Sequence, residues 1–304
     1  MSNKESIQKR FIGVGLHTNR FNICETKENS EERFHEQYTI NELDLQRFIN
    51  YLDMNTFVMM EACANSFKLS ALLKPYVAEV IIADSRKLKI ISQTNKKTDK
   101  VDAEKISTML KMQIISGERL INEVYIPEEK IQTLRSLFTT YNQFKKHITM
   151  VKNYIHSLLK QNLVVLPEGV LSKMMITKIK KLELTESLRF QVDIFIEELS
   201  NLEEKQGRVE NQIKIIGAKY YEEVELLTSI KGISVLSALA LVADIADVER
   251  FPNAKHLCSY LRSAPSVESS NDVTRIKSTN KLSRKLSMTF LTQSISHFKN
   301  TSPS

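Results

Sequence analysis

Short apolar runs and amphipathic segments alternate over the first 110 residues, and this pattern predicts a mixed sheet covered by helices. Five strands are expected, at Phe11–Leu16, Phe21–Glu25, Arg33–Ile40, Thr56–Met60 and Glu79–Ala83. Segments with helical spacing follow the third and fourth strands, and a longer helix begins near Asp99. Because crossovers between parallel strands are right-handed, Thr56–Met60 should lie beside the first strand.

Three acidic residues are expected to meet at one edge of this sheet. The element order is that of an RNase H-like fold, in which Glu61 ends the inner strand and Asp99 and Asp102 start the last helix. Residues three apart share a helix face, and open α/β sheets carry their sites at the carboxyl ends of the strands. Three carboxylates there could hold one or two Mg²⁺ ions beside a scissile phosphate, with Lys97 and Lys100 as phosphate contacts. The alternative is a helix start with solvated acids, since acids are common in first turns.

Apolar residues spaced alternately three and four apart predict two long helices in the middle of the chain. The outgoing arm carries Leu134, Leu137, Tyr141, Phe144, Ile148, Val151, Ile155 and Leu158, and the return arm carries Leu188, Val192, Phe195, Leu199, Leu202, Val209, Ile213 and Ile216. This is the seam of an antiparallel coiled coil with its tip near Pro167–Gly169. Lysines along the arms, among them Lys152, either bind a phosphate backbone or form a solvated helical face.

Composition adds a modest preference for polyanions. Hydrophobic residues make up 42% and charged residues 26% of the 304 positions, which is typical of a soluble globular protein, and the formal net charge is +7. Cys24, Cys63 and Cys258 lack metal-ligand spacing, so we expect buried free thiols in a reducing compartment. The polar start of the chain, with no apolar run of membrane-spanning length, predicts a cytoplasmic protein, associated with the nucleoid if it binds DNA.

The first 110 residues resemble the amino-terminal domain of the DEDD transposases, insertion-sequence recombinases that include the Piv-type DNA invertases. The matching stretches are Phe11–His17, Met60–Asn65 and Lys97–Ala103. The family carries one Asp on the first strand, a Glu after the inner strand and two Asp residues on the last helix. The resemblance places the Glu on Glu61 and the last pair on Asp99 and Asp102, but the first Asp falls on Gly15. A metal site that lacks its central ligand is expected to hold metal poorly.

The second half of the chain resembles the same family in the same order. Lys152–Leu159 matches a pattern of the family's arm, in which His156 would pack or bind nucleic-acid backbone. Lys231 and Gly232 precede an Ala/Leu-rich helix and resemble a helix-hairpin-helix segment, whose backbone N–H groups would bind a phosphate. An ordinary helix start is the alternative. Farther on, Arg275 and Lys277 could contact the nucleic-acid backbone.

Residues 262–272 resemble the segment that carries the nucleophilic serine proposed for this family. Ser270 is the best match, with Ser266 and Ser269 as alternatives. Without the resemblance, the same stretch would be interpreted as a serine-rich loop. A serine needs activation to attack a phosphate, and metal ions held by the acidic domain of a neighbouring subunit could supply it.

The resemblance implies an RNase H-like domain over residues 1–125, a coiled-coil arm over 126–222 and a mostly helical carboxy-terminal domain over 223–304. It implies a DNA transposase that cuts and rejoins DNA through a phosphoserine link with Mg²⁺, guided by a structured RNA and assembled as a dimer or tetramer. Two alternatives stay open. Gly15 favours a catalytically impaired nucleic-acid-binding relic, and a metal-dependent junction nuclease would use the acids without the serine.

Overall fold

The structure is a computed structural model that describes residues 8–84, 99–166, 171–261, 265–270 and 273–279. For Asp99 and for the strands after residue 261 it describes the backbone alone. The chain forms two compact units, residues 1–126 and 127–304. The three-part division at residues 125 and 222 stays a prediction.

The first unit is built on a five-stranded sheet in the order β3-β2-β1-β4-β5. The strands are β1 (Arg10–Leu16), β2 (Arg20–Lys27), β3 (Phe34–Thr39), β4 (Thr56–Glu61) and β5 (Glu79–Ala83). β1 is antiparallel to β2 and parallel to β4. The predicted pairing of the first strand with the inner strand is therefore confirmed.

Helices cover both faces of the sheet. They are α1 (Glu42–Tyr51), α2 (Ser66–Leu73, continued by a 3₁₀ turn at Lys74–Tyr76) and α3 (Asp99–Ser116). One core contains Ile12 and Val14 of β1 with Phe48 of α1 and Leu73 of α2. The other core packs Phe11 and neighbouring strand residues under α3. This mixed α/β unit fits an RNase H-like domain, as the element order predicted.

α3 lies directly against β1 at Gly13. A Cβ atom at Gly13 would stand 2.2 Å from the Ala103 carbonyl oxygen and 2.3 Å from the Ser107 nitrogen, so only glycine permits this approach. One turn further along α3, the Ser107 hydroxyl donates a hydrogen bond of 2.9 Å to the Phe11 carbonyl. The helix therefore runs opposite to β1, and its amino terminus lies at the carboxyl end of that strand.

The second unit is mainly helical. Its elements are α4 (Glu129–Gln161), α5 (Lys173–Lys180), α6 (Glu186–Gly217, then a 3₁₀ turn at Ala218–Tyr220), α7 (Tyr221–Thr228), α8 (Val235–Ile245), α9 (Ala254–Tyr260), β6 (Pro265–Ser270) and β7 (Val273–Thr279). No helix in the described ranges is both long and apolar enough to span a membrane.

α4 and α6 pack against each other in antiparallel directions. Ile155 near the end of α4 shares a core with Val192 near the start of α6, whereas Leu134 and Phe138 of α4 share another core with Ile213 of α6. The second core also contains residues of α8. The predicted tip at Pro167–Gly169 lies outside the described residues, and supercoiling of the two helices stays a prediction.

Two expectations about the chain are wrong in the described parts. Cys24 is buried, but Cys63 is exposed in the loop between β4 and α2, and Cys258 is exposed on α9. The segment around Ser270, which the residues alone predict to be a loop, is an antiparallel hairpin of β6 and β7. Its β-branched residues, such as Val267 and Ile276, pair across the two strands and favour extended backbone.

Candidate metal centre and nucleic-acid interface

The register of the sheet forms a row of positions at the carboxyl end of β1. Gly15 pairs with Asn22 on β2, and Asn22 pairs with Gln37 on β3. On the other side, Val14 pairs with Met60, so the next position places Glu61 beside Gly15. The row therefore runs Gln37, Asn22, Gly15, Glu61 across four adjacent strands.

This row projects from the face of the sheet that α3 covers. Met59 belongs to the core under α3 and Met60 to the core under α1 and α2, so alternation places Glu61 on the α3 face. Phe21 and Ile23 both face the opposite core, which places Asn22 on the α3 face as well. Asn22 was not among the predicted site residues, and a polar residue in an alternating strand was its only signal in the sequence.

The first turn of α3 lies at the same edge. Ala103 and Ile106 are buried against the sheet, and positions 99 and 102 each stand four residues before one of them, one turn nearer the carboxyl end of β1. This topology brings the end of β4 and the start of α3 to one edge. That Glu61, Asp99 and Asp102 gather there, and with what roles, stays a prediction.

Contacts of Glu104 show how α3 crosses the sheet. The Glu104 carboxylate accepts a hydrogen bond from the His35 ring of β3 at 3.0 Å and forms an ion pair with the Arg33 guanidinium, just before β3, at 2.9 Å. Burial, followed by the nearby charge of Lys100, lowers the pKa of His35. The amino-terminal part of α3 therefore lies over the β1–β2–β3 side of the sheet.

The donor set at this edge suits a hard divalent cation. Glu61 is half-buried and Asp102 is exposed, so both carboxylates can reach solvent, and Mg²⁺ prefers oxygen ligands with some waters retained. Among the side chains that the structure describes, no three His, Cys, Asp or Glu residues form a metal-binding group. The Asp99 side chain and all of Lys97 lie outside those described, and Lys100 is exposed.

Lys152 ties the two long helices together. Its ammonium group lies 2.9 Å from the Glu203 carboxylate of α6, and its side chain is 19% exposed. A nucleic-acid phosphate would have to compete with Glu203 for this lysine. His156, one turn further along α4, is half-buried, whereas Lys146, Lys160 and Lys178 are exposed.

The turn at Lys231 and Gly232 precedes α8, as predicted. Gly232 has φ +96°, a conformation that favours glycine, and Lys231 is exposed. Ser234 caps α8 by accepting a hydrogen bond from the Ser237 N–H at 3.2 Å. A tight turn followed by a capped helix start is a geometry in which backbone N–H groups can meet a phosphate.

Ser270 ends β6 and pairs with Val273, the first residue of β7. Ser269 pairs with Thr274, and Arg275 of β7 pairs with Glu268. Ser266 also lies on β6 and Lys277 on β7. The side chains of this hairpin are outside the described set, so the choice among the three serines stays a prediction.

The five-stranded mixed sheet of the first unit fits the RNase H-like domain of a DEDD transposase. Residues 12–163 match the family of DEDD transposases of the IS110 type, and residues 224–302 match the transposase family IS116/IS110/IS902. The chain belongs to the IS110-type family of insertion-sequence transposases. The family resemblance noted in the sequence is thereby confirmed.

One curated relative illustrates how far this family has diverged. The chain is 22% identical over 221 residues to the transposase for insertion sequence element IS1111A of Coxiella burnetii (strain RSA 493 / Nine Mile phase I). The match covers 71% of this chain and 58% of the relative. The chain thus aligns with only part of that protein's length.

Proposed function

We propose that the chain is a DNA recombinase of the transposase type that uses the carboxyl edge of the first unit and Ser270 of the second. Glu61, Asp99 and Asp102 would hold Mg²⁺, which would polarise the scissile phosphate and lower the cost of the attacking alkoxide. The observation that carries the proposal is the convergence of β1, β4 and the start of α3 at one edge, in a chain of this family.

The strand-cutting step is a phosphoryl transfer to serine. The Ser270 hydroxyl oxygen forms a bond to phosphorus and gives up its proton, while the bond from phosphorus to a sugar oxygen breaks and that oxygen takes up a proton. The reverse step on another strand releases Ser270 and restores the phosphodiester. Because the phosphodiester bond is exchanged for a phosphoserine bond and is not hydrolysed, rejoining needs no nucleotide cofactor.

Basic groups of the second unit would hold the nucleic acid. Exposed lysines of α4 and α5 and the Lys231–Gly232 turn supply backbone-directed contacts, and Arg275 and Lys277 would add two more. The family resemblance extends the proposal to a structured guide RNA and to a dimer or tetramer, since exchange requires four strands to be cut and rejoined.

A second candidate function rests on Gly15. The position beside Glu61 carries no side chain, and this favours a relic that binds nucleic acid and assembles but does not cut. A junction nuclease would keep the acids and dispense with Ser270.

A strand-cleavage assay on the ends of the cognate element, with Mg²⁺, separates these functions. The native chain, Ser270→Ala and Gly15→Asp are compared, with Ser269→Ala and Ser266→Ala as matched controls on the same strand. Cleavage and a covalent protein–DNA adduct that only Ser270→Ala abolishes would support the recombinase. Cleavage that survives Ser270→Ala identifies a nuclease, and cleavage that appears only in Gly15→Asp identifies a relic.

A further inference from the structure

The row at the carboxyl edge has a gap at its centre. Gly15 contributes no side chain, and it stands between Asn22 on β2 and Glu61 on β4, both on the α3 face. Adjacent strands are about 4.8 Å apart, so the backbones of Asn22 and Glu61 are separated by about 10 Å across an open position. An ion over Gly15 would therefore meet side chains from both flanking strands.

α3 lies over β1 and β2, the two strands that carry Gly15 and Asn22. Ser107 of α3 shares a hydrogen bond of 2.9 Å with Thr26 of β2, and Glu104 pairs with His35 of β3. The first turn of α3, one turn earlier, continues this path past Cys24 toward Asn22. Asn22 consequently lies on a strand that α3 overlies, beside the open position at Gly15 and at the edge where the first turn of α3 lies.

We propose that Asn22 supplies an oxygen ligand to the divalent cation of this edge, in place of the side chain that Gly15 lacks. This inference rests on the proposed function, because it assumes that Glu61 and the α3 acids bind the cation. The amide carbonyl of Asn is a common oxygen ligand of hard cations. It is neutral, so the site keeps three carboxylates instead of four and binds a cation more weakly than a four-acid site.

The test is Mn²⁺ binding to the full chain without nucleic acid, measured by isothermal titration calorimetry and by the loss of the free Mn²⁺ signal in electron paramagnetic resonance. Asn22→Ala should raise the dissociation constant about tenfold or more, and Asn22→Asp should lower it, since a charged oxygen replaces a neutral one. Gln37→Ala is the matched control, because Gln37 lies in the same row one strand farther from Gly15, and its affinity should equal that of the native chain.

Thermal unfolding of each variant verifies that the fold is intact, and Asn22→Asp keeps the test valid if Asn22→Ala unfolds. Unchanged affinity in Asn22→Ala, with Mn²⁺ binding lost in Glu61→Gln, would overturn the role of Asn22 and leave the proposed metal site standing. Affinity that is unchanged in Glu61→Gln and Asp102→Asn as well would overturn both. Binding that requires Gly15→Asp would show that Asn22 does not compensate.

Discussion

The two ends of β1 differ in the surroundings of their charged side chains. At the amino end, Arg10 is held by Glu25 at 2.8 Å, by Asp53 at 2.8 Å and by the Tyr51 carbonyl at 3.0 Å. At the carboxyl end, Glu61 is half-buried and Asp102 is exposed, so both carboxylates can reach solvent. The charged side chains at the amino end pair with one another, whereas the carboxylates at the carboxyl end are accessible to a ligand.

Electrostatics at the amino end follow from this pairing. Burial lowers the pKa of the Arg10 guanidinium, but its hydrogen bonds to Glu25 and Asp53 together raise that pKa above its ordinary value. Burial and a hydrogen bond to Glu25 both raise the pKa of the Tyr51 hydroxyl, to about 12. Burial likewise opposes the hydrogen bonds from Arg10 and Asn55 that hold the pKa of Asp53 below its usual value. Arg10, Glu25 and Asp53 each have a charged partner, as buried charges require.

The comparison teaches that the same strand can be stabilised at one end and left open to ligands at the other. Glu25 is only 3% exposed, so its buried charge requires the pairing with Arg10. Asp102 is exposed, so its carboxylate stays hydrated and has little desolvation cost. Charge removal at the two ends should therefore affect different properties, stability at the amino end and ligand binding at the carboxyl end.

The largest effect is expected between the two ends, at Gly13. Gly13→Ala places a Cβ within 2.3 Å of two backbone atoms of α3, so the helix must move and the protein should lose about 3 kcal/mol of unfolding free energy. Gly207→Ala is the control: it meets no atom within 4 Å and should gain up to about 1 kcal/mol. Urea unfolding measures both, and equal stabilities would contradict the close approach.

Glu25→Gln and Glu61→Gln compare the ends directly. Glu25→Gln leaves Arg10 with a weaker partner in a buried position and should cost about 2–3 kcal/mol. Glu61→Gln should change stability by less than about 0.5 kcal/mol while weakening Mn²⁺ binding. Chemical denaturation and Mn²⁺ titration check the pair, and a destabilised Glu61→Gln would mean that the carboxyl end is also structural.

Alkaline pH should loosen the amino end through Tyr51. Its folded pKa of about 12 exceeds the unfolded value of about 10, so the folded state keeps the proton longer. The Tyr51 hydroxyl therefore contributes its full share of the unfolding free energy below about pH 10, and this contribution is lost as pH rises through about 12. Tyr51→Phe should flatten the pH dependence of unfolding free energy over that range, and an unchanged slope would assign it to other tyrosines.

The smallest effect concerns thiol reactivity near the middle of the sheet. Burial raises the pKa of Cys24, paired with Gly13, to about 11, whereas Cys63 and Cys258 are exposed. A thiol reagent at neutral pH should modify two cysteines quickly in the folded chain and the third only after denaturation. Rapid modification of Cys24 would show that α3 leaves the sheet often.

Much of the first unit could be predicted from local patterns. Alternation in Phe21–Glu25 and the apolar run before Glu61 identified β2 and β4, and β5 and the helices followed from length and spacing. The hairpin at Ser270 could not be predicted in the same way, because serine-rich segments favour turns locally and only cross-strand pairing makes them strands.

The sequence by itself determined the order of the elements, the family and the acids that the family motif contains. Only the tertiary structure decided that Asn22 and Glu61 flank Gly15 on one face, and that α3 crosses β1 at Gly13. The physical reason is that periodicity fixes which side of a strand a residue takes, whereas register with a distant strand depends on packing across the whole sheet. A shift of one residue would turn every side chain of that row to the opposite face.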